Sequence, residues 1–182
     1  KQVESALDIF ERAIRDRLTA ERPADGILGE EYGTAEGTGA GAHRQWIIDP
    51  IDGTANFLRG VPIWGTLIAL AIDGVPVVGV VSAPALGQRW WAARGHGAYT
   101  SQHGEAARAL AVLAPIVALT RAVWRARAIG DMWSYMLVAE GAIDIAGEFD
   151  LQPYDMAALQ PIIEEAGGRF TSVDGAEGPW HG

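Results

Sequence analysis

The stretch of the sequence that most limits the fold is WIIDPIDGTANF, residues 46–57. An apolar run, typical of a buried strand, ends there in Asp49 and Asp52, with Pro50 restricting the backbone between them. If residues 49–52 form a turn, the two carboxylates converge, and they repel each other unless a cation lies between them. The stretch therefore predicts either a site for a hard cation such as Mg²⁺, or a plain tight turn in which an aspartate caps the next helix.

Two further acidic positions have the same setting. Glu30 and Glu31 follow a short strand candidate at Ile27-Leu28, and Asp155 opens a predicted helix over 155–166. Each has an ordinary explanation by itself: a solvated loop end for the glutamates and a helix N-cap for the aspartate. Because all three acidic positions lie where an apolar element meets a loop, their joint occurrence favours one composite metal site.

The residues after Asp52 predict an anion site. Gly53 and Thr54 open a short predicted helix over 54–57. The N–H groups in the first turn of a helix lack intrahelical partners, and such a terminus suits a phosphate. Metal ligands beside a phosphate cradle indicate metal-assisted phosphoryl hydrolysis.

Composition excludes several classes of function. The net charge of −9 argues against a nucleic-acid surface, which needs a basic stripe, so an anionic substrate requires a cation to reverse the local field. The sequence has no cysteine, which rules out thiolate metal sites and cysteine nucleophiles within it. Apolar runs are broken by Gly, Pro or Asp before they reach the ~18 residues of a membrane span. We expect a cytoplasmic protein that binds neither nucleic acid nor membrane.

The remaining periodicity predicts helices alternating with hairpin-linked strands, a mixed α/β protein. Residues 33–42 are predicted to be a mobile glycine-rich loop, Asp73-Gly74 a hairpin turn, and residues 115–129 give no clear prediction. Predicted helices cover residues 1–20, 54–57, 133–140 and 155–166. Predicted strands cover residues 27–28, 44–48, 66–72, 75–82, 89–93, a return after 95–99, 143–146 and 169–172.

Three motifs together carry a family resemblance. GEE at 29–31, DPIDGT at 49–54, and YDMAA followed by EEAGG within 154–168 resemble the inositol monophosphatase-like, Mg²⁺-dependent, lithium-sensitive phosphatases. The resemblance implies a layered αβαβα sandwich, a homodimer, and a small phosphorylated alcohol as substrate. It also implies two or three Mg²⁺ per site, with Mn²⁺ as a substitute and Li⁺ as an inhibitor.

Within this superfamily, three longer stretches are most similar to the bacterial histidinol-phosphate phosphatases. They are VPIWGTLIALAIDGVPVVGVVSAPAL at 61–86, RWWAARGHGAY at 89–99 and IGDMWSYMLVAEGAIDIAGE at 129–148. The implied reaction converts L-histidinol phosphate to L-histidinol and phosphate in histidine biosynthesis. The alternatives are an inositol-1-monophosphatase, a phosphatase for another small phosphorylated alcohol or nucleotide, and a non-catalytic metal- and phosphate-binding module.

The resemblance assigns the metal ligands position by position. Glu30, Asp49, the carbonyl of Ile51 and Asp52 would hold the first Mg²⁺ ions. Asp155 would complete the second metal site. Two-metal logic then implies in-line attack of water on phosphorus.

The other implied roles concern water, phosphate and the alcohol. Glu31 would bind a water or support Glu30, and together with Asp49 and Thr54 it belongs to the catalytic set. Gly53 and Thr54 would offer backbone N–H groups to the phosphate, and the Thr54 hydroxyl would orient the attacking water.

Carboxylates are also expected around the alcohol portion of the substrate. Glu148 lies seven residues before Asp155, at the position where the family contacts the alcohol. Asp131 is a further candidate for gripping the amine or imidazole, because a cationic product calls for carboxylates. Asp52 is also assigned to substrate binding. The ordinary alternatives are a solvated Glu148 and an Asp131 that caps a helix at Met132.

The sequence also departs from the family pattern. The water-activating aspartate of a Thr-x-x-Asp stretch has no counterpart here, so we expect a segment missing from the printed sequence near residues 12–13. We expect others near 106–116 and after 182. The expected organisation is one phosphatase domain over 1–182, with a metal-binding lobe over about 1–110 and a second lobe over about 111–182.

Overall fold

The computed structural model describes residues 2–110, 130–148, 151–172 and 175–180. In these residues eight strands and five α-helices are formed. The strands are β1 (Gly26–Gly29), β2 (Gly33–Ala35), β3 (Arg44–Asp52), β4 (Gly65–Ile72), β5 (Val75–Ala83), β6 (Gln88–Ala93), β7 (Ala98–Gln102) and β8 (Arg108–Ala109). The helices are α1 (Gln2–Glu21), α2 (Thr54–Leu58), α3 (Asp131–Ala139), α4 (Pro153–Met156) and α5 (Leu159–Glu165).

The eight described strands form one sheet in the order β2-β1-β3-β4-β5-β6-β7-β8. Within it β1 and β3 pair in parallel, and the other neighbours pair antiparallel. Parallel pairing of β1 with β3 brings their carboxyl ends to the same edge of the sheet. This edge carries the GEE and DPIDGT motifs, so the topology places them side by side.

Helices cover the sheet and complete the core. Helix α5 packs against β5 so closely that a Cβ added at Gly79 would lie 2.2 Å from the Ala158 carbonyl oxygen. Trp90 of β6 and Ile162 of α5 are fully buried in this core. Helices α1 and α4 contact β3. The contact between α4 and β3 carries Asp155 to the end of the strand that holds Asp49.

Most predicted elements are confirmed, and with them the mixed α/β class. The first helix, the strand that begins at Arg44 and the three hairpin-linked strands match closely. Asp73 and Gly74 both have positive φ, 51° and 77°, as a two-residue hairpin turn between β4 and β5 requires. None of the helices in the described ranges is long and apolar enough to cross a membrane.

The predicted turn at residues 49–52 is wrong. Strand β3 continues through Asp52, and its pairing with β4 shifts register between Asp49 and Asp52. In a regular strand, residues three apart point to opposite faces. The irregularity is a β-bulge, and a bulge re-aims side chains in this way. It therefore brings the carboxylates together without ending the strand.

The prediction of a glycine-rich loop over the whole of residues 33–42 is wrong in part. Gly33–Ala35 form β2, which pairs antiparallel with β1, and Gly39–Gly41 form a 3₁₀ turn. The N–H of Thr38 donates to the Ala24 carbonyl. Backbone hydrogen bonds hold this segment in place. Such bonds do not depend on side chains, so they produce no apolar periodicity from which the structure could be predicted.

Two strands predicted in the second half of the chain are not formed. Residues 143–146 form no strand, because the N–H groups of Ala142 and Ile143 bond back to the Leu137 carbonyl and extend the end of α3. Residues 169–172 form no strand either, since Ser172 enters a turn with Gly175.

The single helix predicted over 155–166 is two helices, α4 and α5, separated at Ala157-Ala158. Pro161 has no N–H to donate to the Ala157 carbonyl, which accounts for the break.

Helix α3 begins at Asp131, two residues before its predicted start. Residues 115–129 lie outside the described residues, and the division into two lobes near residue 110 stays a prediction.

Candidate active site

A cavity of about 550 Å³ opens where the ends of β1 and β3 meet α2, α3 and α4. Among the residues that the structure describes, six carboxylates and no lysine or arginine line this cavity. A volume of this size suits a small ligand. The lining residues are Glu30, Asp49, Ile51, Asp52, Gly53, Thr54, Asp131, Gly147, Glu148, Leu151 and Asp155.

Two of these carboxylates come from the bulged end of β3. Asp49 is 3% exposed, and its Oδ1 accepts the N–H of Ile51 at 3.0 Å. Asp52 is half-buried, and its Oδ2 accepts the N–H of Met132 at 2.7 Å. Each aspartate therefore has one oxygen fixed by a backbone donor.

Asp155 reaches the same point from α4. It is the third residue of that helix rather than its N-cap, which corrects the predicted helix start. Its Oδ2 accepts the N–H of Gln152 at 2.7 Å, so it caps the helix by reaching back over the first turn. The ordinary role and the predicted site role therefore belong to the same side chain.

Asp49, Asp52 and Asp155 each place a carboxylate oxygen within 4.8 Å of the others. Burial, followed by the charges of Asp52 and Glu30, raises the pKa of Asp49 well above its usual range. Burial likewise raises the pKa of Asp52 to about 7 and raises the pKa of Asp155. Carboxylates packed like this disfavour their own charge, and hard oxygen donors are the ligands Mg²⁺ takes. The donor set fits a divalent cation.

Of the two glutamates in GEE, Glu30 lines the cavity. Burial and the charge of Glu31 raise the pKa of Glu30, and the charge of Glu30 in turn contributes to the raised pKa of Asp49. Glu31 is exposed and is not among the described lining residues; its backbone N–H donates to Glu11 at 2.7 Å. The structure thus brings Glu30 to the predicted metal ligands and leaves Glu31 outside the described lining.

The start of α2 forms the cavity wall next to Asp52. The Thr54 hydroxyl donates to the Ile51 carbonyl at 3.0 Å, linking two residues with predicted site roles. Gly53 has φ of +81°, and an added Cβ would lie 3.2 Å from the Ile63 carbonyl oxygen. Glycine is therefore required here both by the backbone conformation and by the space available.

Asp131 and Glu148, the two carboxylates predicted to face the alcohol, also line the cavity. Asp131 has φ of +54°, a conformation uncommon outside glycine, and its N–H donates to Glu148 Oε1 at 2.9 Å. Its Oδ2 accepts the Asn56 side-chain amide at 3.1 Å. Gly130 is the N-cap of α3 and Asp131 is the first residue of the helix, so Asp131 is not the capping residue. Glu148 is half-buried, not a fully solvated side chain.

Sequence reasoning missed Asn56 and Glu11 as residues that hold this site together. Asn56 follows DPIDGT by two positions, and its contact with Asp131 crosses 75 residues of chain. Glu11 lies four residues after Leu7 and three before Ile14, on the apolar face of α1. A charge on an apolar helix face is a signal for a buried, paired carboxylate. Gly147 and Leu151, which also line the cavity, have no such signal.

The sequence is similar to those of two bacterial phosphatases. The chain is 50% identical to the histidinol-phosphatase of Mycobacterium tuberculosis over 94% of its own length and 74% of that protein. It is 48% identical to the histidinol-phosphatase of Streptomyces coelicolor, with the same coverage.

Solved structures show the same fold. The crystal structure of the extragenic suppressor protein suhB from Bartonella henselae superposes with a TM-score of 0.82 and 29% identity, covering 93% of this chain and 73% of that one. The model of the inositol monophosphatase family matches residues 2–111 and 101–181. By family match, fold and sequence identity, the chain belongs to the inositol monophosphatase family and is a phosphoric monoester hydrolase.

Proposed function

We propose that this chain is a Mg²⁺-dependent phosphatase that converts L-histidinol phosphate to L-histidinol and phosphate, as a step of histidine biosynthesis. One observation carries the proposal. The same cavity is lined by a trio of carboxylates whose oxygens lie within 4.8 Å of one another and by a second acidic pair, Asp131 and Glu148. The first group suits cations that hold a phosphate, and the second suits a cationic alcohol.

The metal ligands in this proposal are Asp49, Asp52 and Asp155, with Glu30 beside them. The carbonyl of Ile51 joins them as a neutral oxygen donor. When bound, Mg²⁺ supplies positive charge that offsets the phosphate oxygens and favours deprotonation of an attacking water. A cavity wall made of carboxylates would otherwise repel the substrate.

The residues at the start of α2 position the phosphate and the water. Gly53 brings the backbone close to the cavity without a side chain in the way. The Thr54 hydroxyl donates a hydrogen bond to the Ile51 carbonyl oxygen. The lone pairs of the hydroxyl oxygen are left to accept a hydrogen bond from water. In this proposal Glu31 supports Glu30 from the next position of the backbone.

The alcohol portion is recognised by charge. Histidinol carries an ammonium group and an imidazole, and both can donate hydrogen bonds to Asp131 and Glu148. Inositol is neutral, so it would leave these carboxylates without a cationic partner. The two histidinol-phosphatases at 50% and 48% identity support the same substrate. A homodimer in the cytoplasm is a further part of the proposal and has the family alone as support.

The test is phosphate release from L-histidinol phosphate and from inositol 1-phosphate, each with Mg²⁺ and with EDTA. We expect Mg²⁺-dependent turnover with histidinol phosphate strongly preferred. Preference for inositol 1-phosphate would leave the metal site standing and reject the substrate. Turnover of neither compound, with Mg²⁺ still bound in calorimetry, would favour a non-catalytic metal- and phosphate-binding module.

A further inference from the structure

Glu11 of α1 is a charged side chain with no exposed surface. Its Oε2 accepts the N–H of Glu31 at 2.7 Å, and its Oε1 accepts the N–H of Tyr32 at 3.3 Å. A buried carboxylate is stable only when paired and hydrogen-bonded. The two carboxylate oxygens of Glu11 accept the backbone N–H groups of the two residues that directly follow Glu30.

Arg15, one turn further along α1, completes the arrangement. Its Nε lies 2.7 Å from Glu11 Oε1, and one of its terminal nitrogens donates to the Gly33 carbonyl. The pair therefore holds the turn from Glu31 to Gly33 at both ends. A guanidinium that bonds a carboxylate and a carbonyl at once has little freedom to rotate.

The close approach of the helix is built into the strand as well. A Cβ added at Gly29 would lie 2.0 Å from Glu11 Oε1, so a larger residue there would displace the carboxylate. Gly29 is the last residue of β1 and immediately precedes Glu30. The backbone on both sides of Glu30 is thus fixed against the same side chain.

We propose that Glu11 is a positioning residue for the metal site: it fixes the backbone of the GEE turn so that the Glu30 carboxylate stays aimed at Asp49 and the cation. The inference rests on the proposed metal-dependent function. Glu11 does not line the cavity, so it acts through Glu30 and not on substrate. Residues that orient metal ligands typically change metal affinity about 10–100-fold when they are replaced.

The experiment compares Glu11→Gln with Glu165→Gln. Glu165 is the matched control, because its carboxylate also accepts two backbone N–H groups, those of Gly95 at 2.6 Å and Gly97 at 2.8 Å, in the hairpin between β6 and β7. For both variants and the wild type we would measure Mg²⁺ binding by calorimetry, the half-saturating Mg²⁺ concentration for turnover, kcat at saturating Mg²⁺, and the melting temperature.

For Glu11→Gln we expect Mg²⁺ binding to weaken about 10-fold or more, with kcat recovering as Mg²⁺ is raised. Glu165→Gln should lower the melting temperature and leave Mg²⁺ binding unchanged. If the two variants bind Mg²⁺ equally well, Glu11 has a purely structural role and the inference is overturned.

A second variant covers the case in which Glu11→Gln does not fold. Arg15→Lys keeps the charge but loses the fork that joins Glu11 to Gly33, and we expect it to weaken Mg²⁺ binding in the same direction. Wild-type Mg²⁺ affinity in a folded Arg15→Lys would count against the inference. A wild-type protein that neither binds Mg²⁺ nor needs it for turnover would instead overturn the proposed function, and the inference with it.

Discussion

The carboxylate of Asp52 accepts a 2.7 Å hydrogen bond from the backbone N–H of Met132, 80 residues further along the chain. This contact joins the bulged end of β3 to the first turn of α3. The neighbouring residue, Asp131, is held by Glu148 through its N–H and by Asn56 through its side chain. The proposed metal side and alcohol side of the cavity therefore share one hydrogen-bonded framework.

Replacing Asp52 with asparagine should abolish Mg²⁺-dependent turnover, with a loss of at least ~100-fold in kcat, because an anionic ligand is lost from the site. The fold should survive, since an amide oxygen can still accept the Met132 N–H. Phosphate release together with circular dichroism would check both parts. Substantial activity in a folded Asp52→Asn would refute the assignment of Asp52 as a metal ligand.

The metal-free protein should become less stable as the pH rises. Burial raises the pKa of Asp52 from 3.8 to about 7 in the folded state, and the pKa of Asp49 is raised in the same direction. Between the unfolded and folded pKa values, the folded state binds more protons than the unfolded state, so the free energy of unfolding falls with pH across that window. For Asp52 the window runs from 3.8 to about 7.

Melting curves in EDTA from pH 5 to pH 8 would show this slope. Mg²⁺ should raise the melting temperature most at pH 8, where the carboxylates are charged, and Asp52→Asn in EDTA should have a shallower slope than the wild type. Equal stabilisation by Mg²⁺ at both ends of the pH range would contradict the prediction.

The sequence predicts the site better than it predicts the way the site is assembled. Asp49, Asp52 and Asp155 can be identified because each follows or opens an apolar element, and periodicity reveals such elements. The register shift that aligns Asp49 with Asp52 depends on pairing with β4, so it cannot be read from β3 alone, although Pro50 is a residue that an inner strand accepts only at a bulge. The sequence therefore predicts that the Asp49 and Asp52 carboxylates converge, but it attributes this to a turn instead of a bulge in the strand.

Two other features were missed although they depend on residues close together in sequence. The short strand β2 is held by backbone bonds to β1, and Gly33 and Ala35 have low strand propensity, so the sequence gives no strand signal there. The break between α4 and α5 was readable in principle, because Pro161 is tolerated in the first turn of a helix, as in α5, but not in the interior of one helix over 155–166. The strong apolar spacing of Met156, Leu159 and Ile162 outweighed that signal in the prediction.

Glu165→Gln should reduce stability at neutral pH and have little effect in acid. Hydrogen bonds from the N–H groups of Gly95 and Gly97 lower the pKa of Glu165 in the folded protein. A carboxylate with a depressed folded pKa stabilises the fold above its unfolded pKa, and this contribution is lost as the pH falls through the folded pKa. The melting temperatures of wild type and variant should therefore differ at pH 7 and converge near pH 3.

Substrate preference should depend on Asp131 more than on any other residue of the alcohol side. Asp131→Asn keeps the shape of the side chain and removes its charge, so a charge-assisted hydrogen bond worth about 1.5–3 kcal/mol to a cationic alcohol is lost. We expect kcat/KM for histidinol phosphate to fall about 10–100-fold, since about 1.4 kcal/mol corresponds to a factor of ten. Turnover of a neutral phosphorylated alcohol should be unchanged or improved.

Asn56→Ala tests the same relationship from the other side of the contact. The variant removes the amide that holds Asp131 Oδ2 at 3.1 Å and leaves the charge of Asp131 in place. We expect a smaller loss for histidinol phosphate than in Asp131→Asn, and no further loss when the two changes are combined, because residues in one hydrogen-bond network are not additive. Full additivity in this double-mutant cycle would show that Asn56 and Asp131 act independently, and Asn56 would then have no part in choosing the substrate.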